Sequence, residues 1–217
     1  MYDHCIFDLD GTLTDPKVGI TNAYQRALAA FGIHEELDSL ARFIGPPLRD
    51  NFRVSMGLSE SDTELAVGLY REYYSEKGLL ENYVYPGIPE ALQRLKDHGK
   101  TLTVATNKIT LYSVQVLEHF KLDGFFECIS GDAMDSSLSR NGKRDIINIA
   151  IDAADPERKL STVMIGDRMH DITGARDAGI DSIGITWGYG SRSELENAGA
   201  TWIADTPEVL CEFLLSR

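Results

Sequence analysis

The sequence predicts an α/β fold, a doubly wound parallel sheet with a smaller α-helical domain inserted after its first strand. Short apolar runs typical of buried strands recur along the 217 residues, and helix-like segments separate most of them. Such alternation indicates parallel strands that are joined by helical crossovers. One long interval, from about residue 17 to residue 83, keeps a helical pattern throughout and indicates the insertion.

The first apolar run, His4–Phe7, is predicted to form the first strand of the sheet. Four further runs of similar length, each at least half apolar, are predicted as strands at residues 102–105, 126–129, 162–165 and 182–185. Strands that are covered on both faces read as nearly continuous apolar runs, so all five are expected to lie inside a sheet flanked by helices.

The segments between these runs carry helix signals. Ile88, Leu92 and Leu95 share one helical face, Pro89 is placed in the first turn, and Gly99 is placed to end the helix. The same apolar spacing predicts two later helices with inward-facing sets Ile146, Ile149, Ala150 and Ala153, and Ile172 and Ala175 ahead of Gly179.

The inserted interval is expected to form a helical cap over one edge of the sheet. It spans residues 17–83, so the core domain is predicted to comprise residues 1–16 and 84–217, and the segment 85–87, Tyr-Pro-Gly, closes the insertion. Two sets of residues with helical spacing are predicted to face its interior: Ala23, Ala27 and Ala30, and Leu65, Leu69 and Tyr73. Below, residues 17–83 are called the insert.

Composition and charge exclude several classes of function. The chain has 21 Lys and Arg against 34 Asp and Glu, a formal net charge of −13, which disfavours binding to nucleic acid or to an anionic membrane surface. A small anionic substrate remains possible where local cations or a metal offset this field. The chain has three cysteines, Cys5, Cys128 and Cys211, an odd number, and they lie far apart in the sequence. It carries neither a secretory signal nor an apolar stretch long enough to span a membrane. These observations make the cytoplasm the expected location.

Acidic residues follow two of the predicted strands. Asp8 and Asp10 come directly after the first strand; residues two apart on an extended segment face the same way, and Gly11 permits a sharp turn behind them. Asp167 and Asp171 follow the strand predicted at 162–165, and Asp171 could also serve as a simple helix cap. Four carboxylates at the carboxyl ends of neighbouring strands would repel one another unless a cation lay among them, and oxygen ligands of this kind suit Mg²⁺.

Two further segments predict a phosphate site. Thr106 and the amides of the loop that it shares with Asn107 could donate to phosphate oxygens, although a helix-capping threonine is as common. Lys143 is placed at the start of a helix, where a cation gains nothing from the helix dipole, which makes a ligand-binding role more plausible. Lys108 and Arg144 compete with it for this role, and at least one of the three is expected to be an ordinary surface cation.

Together these motifs resemble those of the haloacid dehalogenase superfamily of phosphohydrolases, in order and over nearly the whole chain. Within it the chain is similar to the phosphoglycolate phosphatase branch, which includes members named 5′-nucleotidases, through segments 43–49 in the insert and 187–191 after the last predicted strand. The residues that carry the superfamily resemblance are segment 7–13, Thr106, Lys143 and segment 166–171.

The resemblance implies a role for each acidic residue. Asp8 would be the nucleophile that forms an aspartyl-phosphate, and Asp10 the general acid and then the general base. Asp8, Asp10 through its main-chain carbonyl, Asp167 and Asp171 would bind Mg²⁺, with Asp171 bound directly or through water. The implied activity is a Mg²⁺-dependent phosphomonoesterase.

The resemblance also implies the groups that hold the substrate. Thr106, Asn107 and Lys143 would bind the phosphoryl group, while Arg49 and Phe43 in the insert would contact the rest of a small phosphorylated metabolite. Phosphoglycolate, a nucleoside 5′-monophosphate and a sugar phosphate all remain open as substrates. The family's lysine-proline pair is replaced at Lys143 by lysine-arginine, and the second motif lacks its proline, which weakens the case for phosphoglycolate.

Other predictions follow from the same motifs. A receiver-type module, in which a strand-end aspartate is phosphorylated and read by a partner, is the alternative of a different class; it needs neither the insert nor Asp10. His170, inside the fourth motif, is expected to be an exposed residue at the start of a helix. A monomer and a homodimer are both compatible with the sequence.

Overall fold

The computed structural model describes residues 2–139 and 142–216, and over these residues the central sheet has six strands. The strands, with those of a separate two-stranded ribbon, are β1 (His4–Phe7), β2 (Thr14–Asp15), β3 (Tyr83–Val84), β4 (Thr101–Ile109), β5 (Cys128–Asp132), β6 (Thr162–Gly166), β7 (Asp181–Ile185) and β8 (Trp202–Ala204). Neighbours within the sheet are parallel and lie in the order β5-β4-β1-β6-β7-β8, which confirms the predicted doubly wound fold.

The helices cover both faces of this sheet and make up the insert. They are α1 (Lys17–Ala29), α2 (Leu37–Leu40), α3 (Leu48–Asp50), α4 (Glu60–Tyr73), α5 (Ile88–Asp97), α6 (Thr110–His119), α7 (Arg144–Ala154), α8 (Met169–Ala178), α9 (Arg192–Ala198) and α10 (Pro207–Ser216). Short 3₁₀ and π-helical turns extend several of them. No helix in the described part of the chain is both long enough and apolar enough to cross a membrane.

The position of β1 explains where polar residues gather. In the sheet β1 lies between β4 and β6, and the order of the strands reverses beside it. Ligands of open α/β sheets bind at such a point. Phe7, the last residue of β1, lies opposite Val104 of β4 and Ile165 of β6. The residues that follow these three positions therefore emerge side by side at one edge of the sheet.

Burial on both faces explains the continuous apolar character of the strands. In β1, Cys5 and Phe7 belong to the larger hydrophobic core, while Ile6 points to a second core that α7 and α8 complete. Three strands were not predicted: β8 has only three residues, and β2 and β3 of the separate ribbon have two each, too few to show any periodicity.

The predicted helical faces are partly right. In α5 the three predicted apolar residues are buried, and Gly99 adopts a φ of +74° directly after the helix. In α7 the predicted face is rotated: Ile146 and Ala150 are buried, but Ile149 is 43% exposed and Ala153 is exposed, because Ile147 and Ile151 take the inward positions. With isoleucines around most of α7, only the packing against the sheet selects the buried face.

The helices and helical turns of the insert lie between Lys17 and Gly78, and Tyr83 already belongs to β3. The predicted inward face of α4 is partly right: Leu69 and Tyr73 are half-buried against the core, but Leu65 is 54% exposed. Tyr70, which the prediction left out, is buried. In α1, Ala23 and Ala27 are buried as predicted, whereas Ala30 lies beyond the helix and is exposed. The large aromatic rings of the insert cluster together and so determine which helical faces turn inward.

Candidate active site

Asp8 is the first residue beyond β1, and it is almost fully buried. Its backbone N–H donates to the carbonyl oxygen of Ile165 at 2.8 Å, so hydrogen bonding to β6 continues one residue past the strand. Gly11 then turns the chain with a φ of +88°, and a Cβ on this glycine would lie 2.7 Å from Cγ of Asp167. Only glycine satisfies both the backbone conformation and this close approach.

Asp167 and Asp171 are both buried at the end of β6 and the start of α8. The Oδ2 atom of Asp167 accepts a hydrogen bond from the backbone N–H of Tyr189 at 2.8 Å. Asp171 is the third residue of α8, and its Oδ2 accepts from the backbone N–H of Arg168 at 3.0 Å. Asp171 therefore caps its helix and also turns its other oxygen toward the site, so the two predicted roles are compatible.

Three carboxylates converge at this edge of the sheet. Asp8, Asp167 and Asp171 each offer an oxygen, and these atoms all lie within 4.8 Å of one another. Burial, followed by repulsion from the other two carboxylates, raises the pKa of Asp167 well above its usual range, and burial raises the pKa of Asp171 to about 6. A divalent cation bound by oxygen ligands would relieve both effects, so the donor set fits Mg²⁺.

Lys143 occupies the position next to these carboxylates. It is the residue that precedes α7, its side chain is 1% exposed, and its Nζ lies 2.8 Å from Oδ1 of Asp8 and also contacts Asp171. Burial acts to lower the pKa of Lys143, but the two carboxylates outweigh it and raise that pKa above the ordinary value. Arg144, its competitor in the sequence, is an exposed residue paired with Asp145.

Asp10 lies outside the cluster of three carboxylates and pairs with a different lysine, Lys108. Its Oδ2 accepts a hydrogen bond from Nζ of Lys108 at 2.5 Å, and both side chains are buried. The Lys108 ammonium group also lies 4.8 Å from the ring centre of Tyr74 in the insert. Burial raises the pKa of Asp10, although Lys108 opposes this shift. Lys108, with its buried side chain, is thus a residue of the site. It is not a surface cation, which was the alternative that the sequence left open.

Thr106 and Asn107 lie on β4 and line the same cavity as Asp8 and Asp10. The Thr106 hydroxyl is buried and accepts a hydrogen bond from the backbone N–H of Lys108 at 3.3 Å. The side-chain amide of Asn107 donates to the carbonyl oxygen of Gly45 at 3.1 Å, so its nitrogen is engaged with the insert. Its Oδ1 atom has no hydrogen-bond partner among the described residues.

The comparison with known families decides the identity of this fold and site. A sequence profile described as haloacid dehalogenase-like hydrolase matches residues 5–185, which include every one of the residues described above except Tyr189. The chain belongs to the haloacid dehalogenase-like hydrolases. It is a phosphatase of this family, as the resemblance of its motifs predicted.

Known relatives of this hydrolase cover most of its length. A protein of Pseudomonas aeruginosa named 5′-nucleotidase is 43% identical over 195 residues, which are 89% of this chain and 87% of the relative. A protein of Agrobacterium fabrum named phosphoglycolate phosphatase is 34% identical over 191 residues, 85% of this chain and 80% of the relative. The crystal structure of a predicted phosphatase from Clostridium acetobutylicum superposes with a TM-score of 0.93 at 42% identity, covering 100% of both chains.

In this hydrolase the insert completes the cavity above the carboxylates. Phe43 lines it, whereas Arg49 is not among its lining residues, and the Arg49 guanidinium is paired with Glu64 on α4. Among the described residues, the arginine that lines the cavity is Arg71, one residue past the buried Tyr70. The Nε atom of Arg71 is shielded from solvent and has no hydrogen-bond partner among residues 2–139 and 142–216. Arg71, and not Arg49, is therefore the arginine that the described part of the insert presents to the cavity.

The aromatic rings around the cavity pack mainly against one another. The ring centre of Tyr24 lies 4.9 Å from that of Tyr70 and 5.5 Å from that of Phe43, and Tyr70 stacks on Tyr74 at 5.7 Å. These four residues are at most 9% exposed. They form the core of the insert, and the Tyr74 hydroxyl is the one polar atom among them that is buried without a hydrogen-bond partner in the described part of the chain.

Two residues of the fourth motif, Arg168 and His170, lie in surroundings that the sequence did not predict. The Nη1 atom of Arg168 donates to the carbonyl oxygen of Ile44 in the insert at 2.6 Å, and its Nε donates to Glu194 at 2.9 Å. His170, expected to be exposed, is half-buried, and burial followed by the nearby charges of Arg168 and Lys143 lowers its pKa. Neither contact could be read from the sequence, because both partners come from distant segments.

Proposed function

We propose that this phosphatase is a Mg²⁺-dependent phosphomonoesterase that hydrolyses a small phosphorylated metabolite through an aspartyl-phosphate on Asp8. The observation that carries the proposal is the convergence of Asp8, Asp167 and Asp171 within 4.8 Å, with the Lys143 ammonium 2.8 Å from Asp8. A carboxylate can attack a dianionic phosphate only where cations offset the repulsion, and the buried lysine supplies one such charge.

Charge balance supports a divalent metal in this site. Asp8, Asp10, Asp167 and Asp171 are four buried carboxylates, and Lys108 and Lys143 are two buried ammonium groups beside them. A single divalent cation would balance the difference. Asp8, Asp167 and Asp171 would hold it, with the main-chain carbonyl of Asp10 as a further ligand, and when bound it would supply positive charge to the phosphoryl oxygens.

The remaining residues would divide the chemistry between two half-reactions. In the first, an Asp8 oxygen bonds to phosphorus while the bond from phosphorus to the leaving oxygen breaks, and Asp10 gives its proton to that oxygen. In the second, water attacks phosphorus, Asp10 takes a proton from the water, and the Asp8 carboxylate is released. Lys143, the Thr106 hydroxyl and the amides around Asn107 would hold the phosphoryl oxygens during both steps.

The cation from the insert favours a substrate with a second negative group, and phosphoglycolate is the first candidate. Arg71 lines the cavity, and among the described residues its guanidinium makes neither an ion pair nor a hydrogen bond. Asp132, the acidic residue on the cavity wall whose charge acts on Arg71, already accepts hydrogen bonds from the loop that follows it, since its Oδ1 accepts from the backbone of Ala133 and Leu138. A substrate carboxylate would provide the missing partner for Arg71.

A nucleoside 5′-monophosphate is the second candidate, because a 43% identical relative is named 5′-nucleotidase. The insert's aromatic rings favour it less, since they are packed on one another and leave little free ring surface for a base. Comparing kcat/KM for phosphoglycolate, nucleoside 5′-monophosphates and sugar phosphates in the presence of Mg²⁺ separates these classes. The described residues of the site all come from one chain, so the proposal holds for a monomer and for a homodimer. A cytoplasmic location remains part of the proposal.

Release of phosphate from p-nitrophenyl phosphate tests the catalytic proposal. The wild type should turn over steadily with Mg²⁺ and stop when EDTA removes it, and Asp8→Asn should abolish turnover while still binding Mg²⁺ weakly. Asp177→Asn, which alters an exposed aspartate of α8, serves as the control and should retain full activity. Activity that survives EDTA or Asp8→Asn contradicts the proposal, and one equivalent of phosphate retained on the protein without turnover would favour a receiver-type module.

A further inference from the structure

Each of two carboxylates in the metal cluster is held by a residue that also reaches the insert or the chain segments leading into it. Asp167 accepts a backbone N–H from Tyr189, and Asp171 accepts one from Arg168. The side chains of these two donors extend away from the cluster, to Asp15 and to Ile44. We propose that Tyr189 and Arg168 are positioning residues that couple the placement of the insert to metal binding; this rests on the Mg²⁺ site of the proposed function.

The loop after β7 presses Tyr189 against Asp167. A Cβ on Gly188 would lie 2.5 Å from Oδ2 of Asp167, and one on Gly190 would lie 3.1 Å from its carbonyl carbon, so glycines on both sides of Tyr189 allow the close approach. The backbone N–H of Tyr189 can therefore reach the carboxylate at 2.8 Å. Any shift of this loop changes the orientation of Asp167 directly.

The Tyr189 hydroxyl donates to Asp15, which lies where the chain enters the insert. Asp15 belongs to β2, and β2 pairs with β3, where the chain returns from the insert: Asp15 lies opposite Tyr83. The Asp15 carboxylate also accepts the Tyr83 hydroxyl at 2.7 Å and the backbone N–H of Lys17 at 2.9 Å. The two crossings of the chain thus share one carboxylate, and Tyr189 connects it to Asp167.

Arg168 forms the second connection, to residues 44–45 of the insert. Its Nη1 donates to the Ile44 carbonyl, and the adjacent Gly45 adopts a φ of +104° and would place a Cβ 3.0 Å from Cγ of Arg168. Asn107, on β4, donates to the Gly45 carbonyl. Asn107 of β4 and Arg168 thus hold successive carbonyl groups of one segment of the insert, and the backbone N–H of the same Arg168 donates to Asp171.

Binding free energies that are coupled in this way act in both directions. If the insert orients Asp167 and Asp171, then a metal held by these carboxylates stabilises the docked insert to the same extent. Residues that orient metal ligands through hydrogen bonds change metal affinity by about 10- to 100-fold when they are removed. Tyr189 and Arg168 act through the two aspartates and contact the metal position only through them.

Mg²⁺ alone, without substrate, is the probe for this coupling. Calorimetry on the full chain should give a dissociation constant for Mg²⁺ that rises about tenfold in Tyr189→Phe and in Arg168→Gln. Tyr83→Phe is the matched control, because it removes the other hydroxyl on Asp15 but has no contact with Asp167 in the described structure; we expect less than a twofold change. Arg168→Lys, which keeps one donor for Ile44, should recover part of the loss.

Hydrogen exchange measured on the same samples separates coupling from general loosening. Adding Mg²⁺ to the wild type should slow exchange in peptides covering residues 15–20 and 43–48; Tyr189→Phe should lose the first effect and Arg168→Gln the second. Mg²⁺ binding with unchanged protection in these variants, or an equal loss in Tyr83→Phe, would overturn the coupling alone. Failure of the wild type to bind Mg²⁺ would overturn the proposed function together with it.

Discussion

The Nζ atom of Lys143 lies 2.8 Å from Oδ1 of Asp8, and the two side chains are 1% and 6% exposed. The same ammonium group contacts Asp171, so one buried cation serves the proposed nucleophile and a proposed metal ligand at once. Gly174 of α8 makes room for this arrangement, since a Cβ there would lie 2.9 Å from Cβ of Lys143. The lysine therefore has both a structural and a chemical part in the site, and these can be measured separately.

Lys143→Met should destabilise the metal-free protein and remove activity. The substitution leaves Asp8 and Asp171 buried without their cation, and breaking a buried ion pair costs about 3–5 kcal/mol. Urea unfolding in EDTA should show this loss, and Mg²⁺ should restore part of it because the metal brings positive charge to the same carboxylates. Turnover with Mg²⁺ should fall by at least about 100-fold. Arg144→Met, at the exposed neighbouring position, should change neither; an equal effect would mean that the start of α7 matters and not the buried charge.

Gly11→Ala should damage the metal site more than an ordinary turn glycine would. Alanine at a positive φ costs about 1–2 kcal/mol wherever it occurs, and Gly99, with a φ of +74° and no atom within 4 Å of its missing Cβ, gives that cost alone. At Gly11 the new methyl group would also displace the Asp167 carboxylate. Calorimetry should show that Gly11→Ala binds Mg²⁺ at least about tenfold more weakly than the wild type, whereas Gly99→Ala binds it with unchanged affinity. Equal Mg²⁺ affinities in the two variants would show that Asp167 can move without consequence.

The parts of the site that the sequence predicted are those fixed by the sheet. Asp8 and Asp167 follow parallel strands and Thr106 lies in the last part of one, and neighbouring strand ends meet at one edge whatever surrounds them. Lys143 was predicted from its place before a helix, and α7 brings it to the same edge. A strand end is defined by the adjacent apolar run, so the arrangement of these residues depends on few tertiary details.

The residues that the sequence could not assign depend on how the insert docks. Lys108 could have been a surface cation, and only the packing of Tyr74 over it, together with Asp10 beside it, buries its charge. Arg49 and Arg71 are both arginines of the insert, but Arg49 pairs with Glu64 while Arg71 lines the cavity. This difference depends on which face of α4 turns inward. The buried face of α4 differs in part from the prediction because contacts between large aromatic rings, which are far apart in the sequence, outweigh the local apolar spacing.

Arg71→Gln should reduce activity selectively toward a substrate that carries a carboxylate. We compare 2-phosphoglycolate with ethyl phosphate, which lacks that group: a hydrogen bond to a charged group contributes about 1.5–3 kcal/mol, so kcat/KM for 2-phosphoglycolate should fall roughly 10- to 100-fold. Ethyl phosphate should change by less than about threefold. Arg49→Gln, at the arginine paired with Glu64, and Arg53→Gln, at an exposed arginine paired with Glu60, are the matched controls. Losses that are equal for both substrates would exclude recognition of the carboxylate by Arg71.

His4 should make the protein less stable in mild acid. It is buried in β1, its Nε2 hydrogen-bonds with Oγ1 of Thr103 at 2.8 Å, and burial lowers its pKa from 6.5 to about 4, although Asp155 opposes the shift. Between these values the unfolded chain binds a proton that the folded chain does not, so the contribution is complete above pH 6.5 and falls as the pH drops toward 4. His4→Gln should remove about 3 kcal/mol of this pH dependence in urea unfolding between pH 4 and 8. Thr103→Val keeps the imidazole and should lose stability at every pH with the slope intact; a slope that survives in His4→Gln would assign the titration to another group.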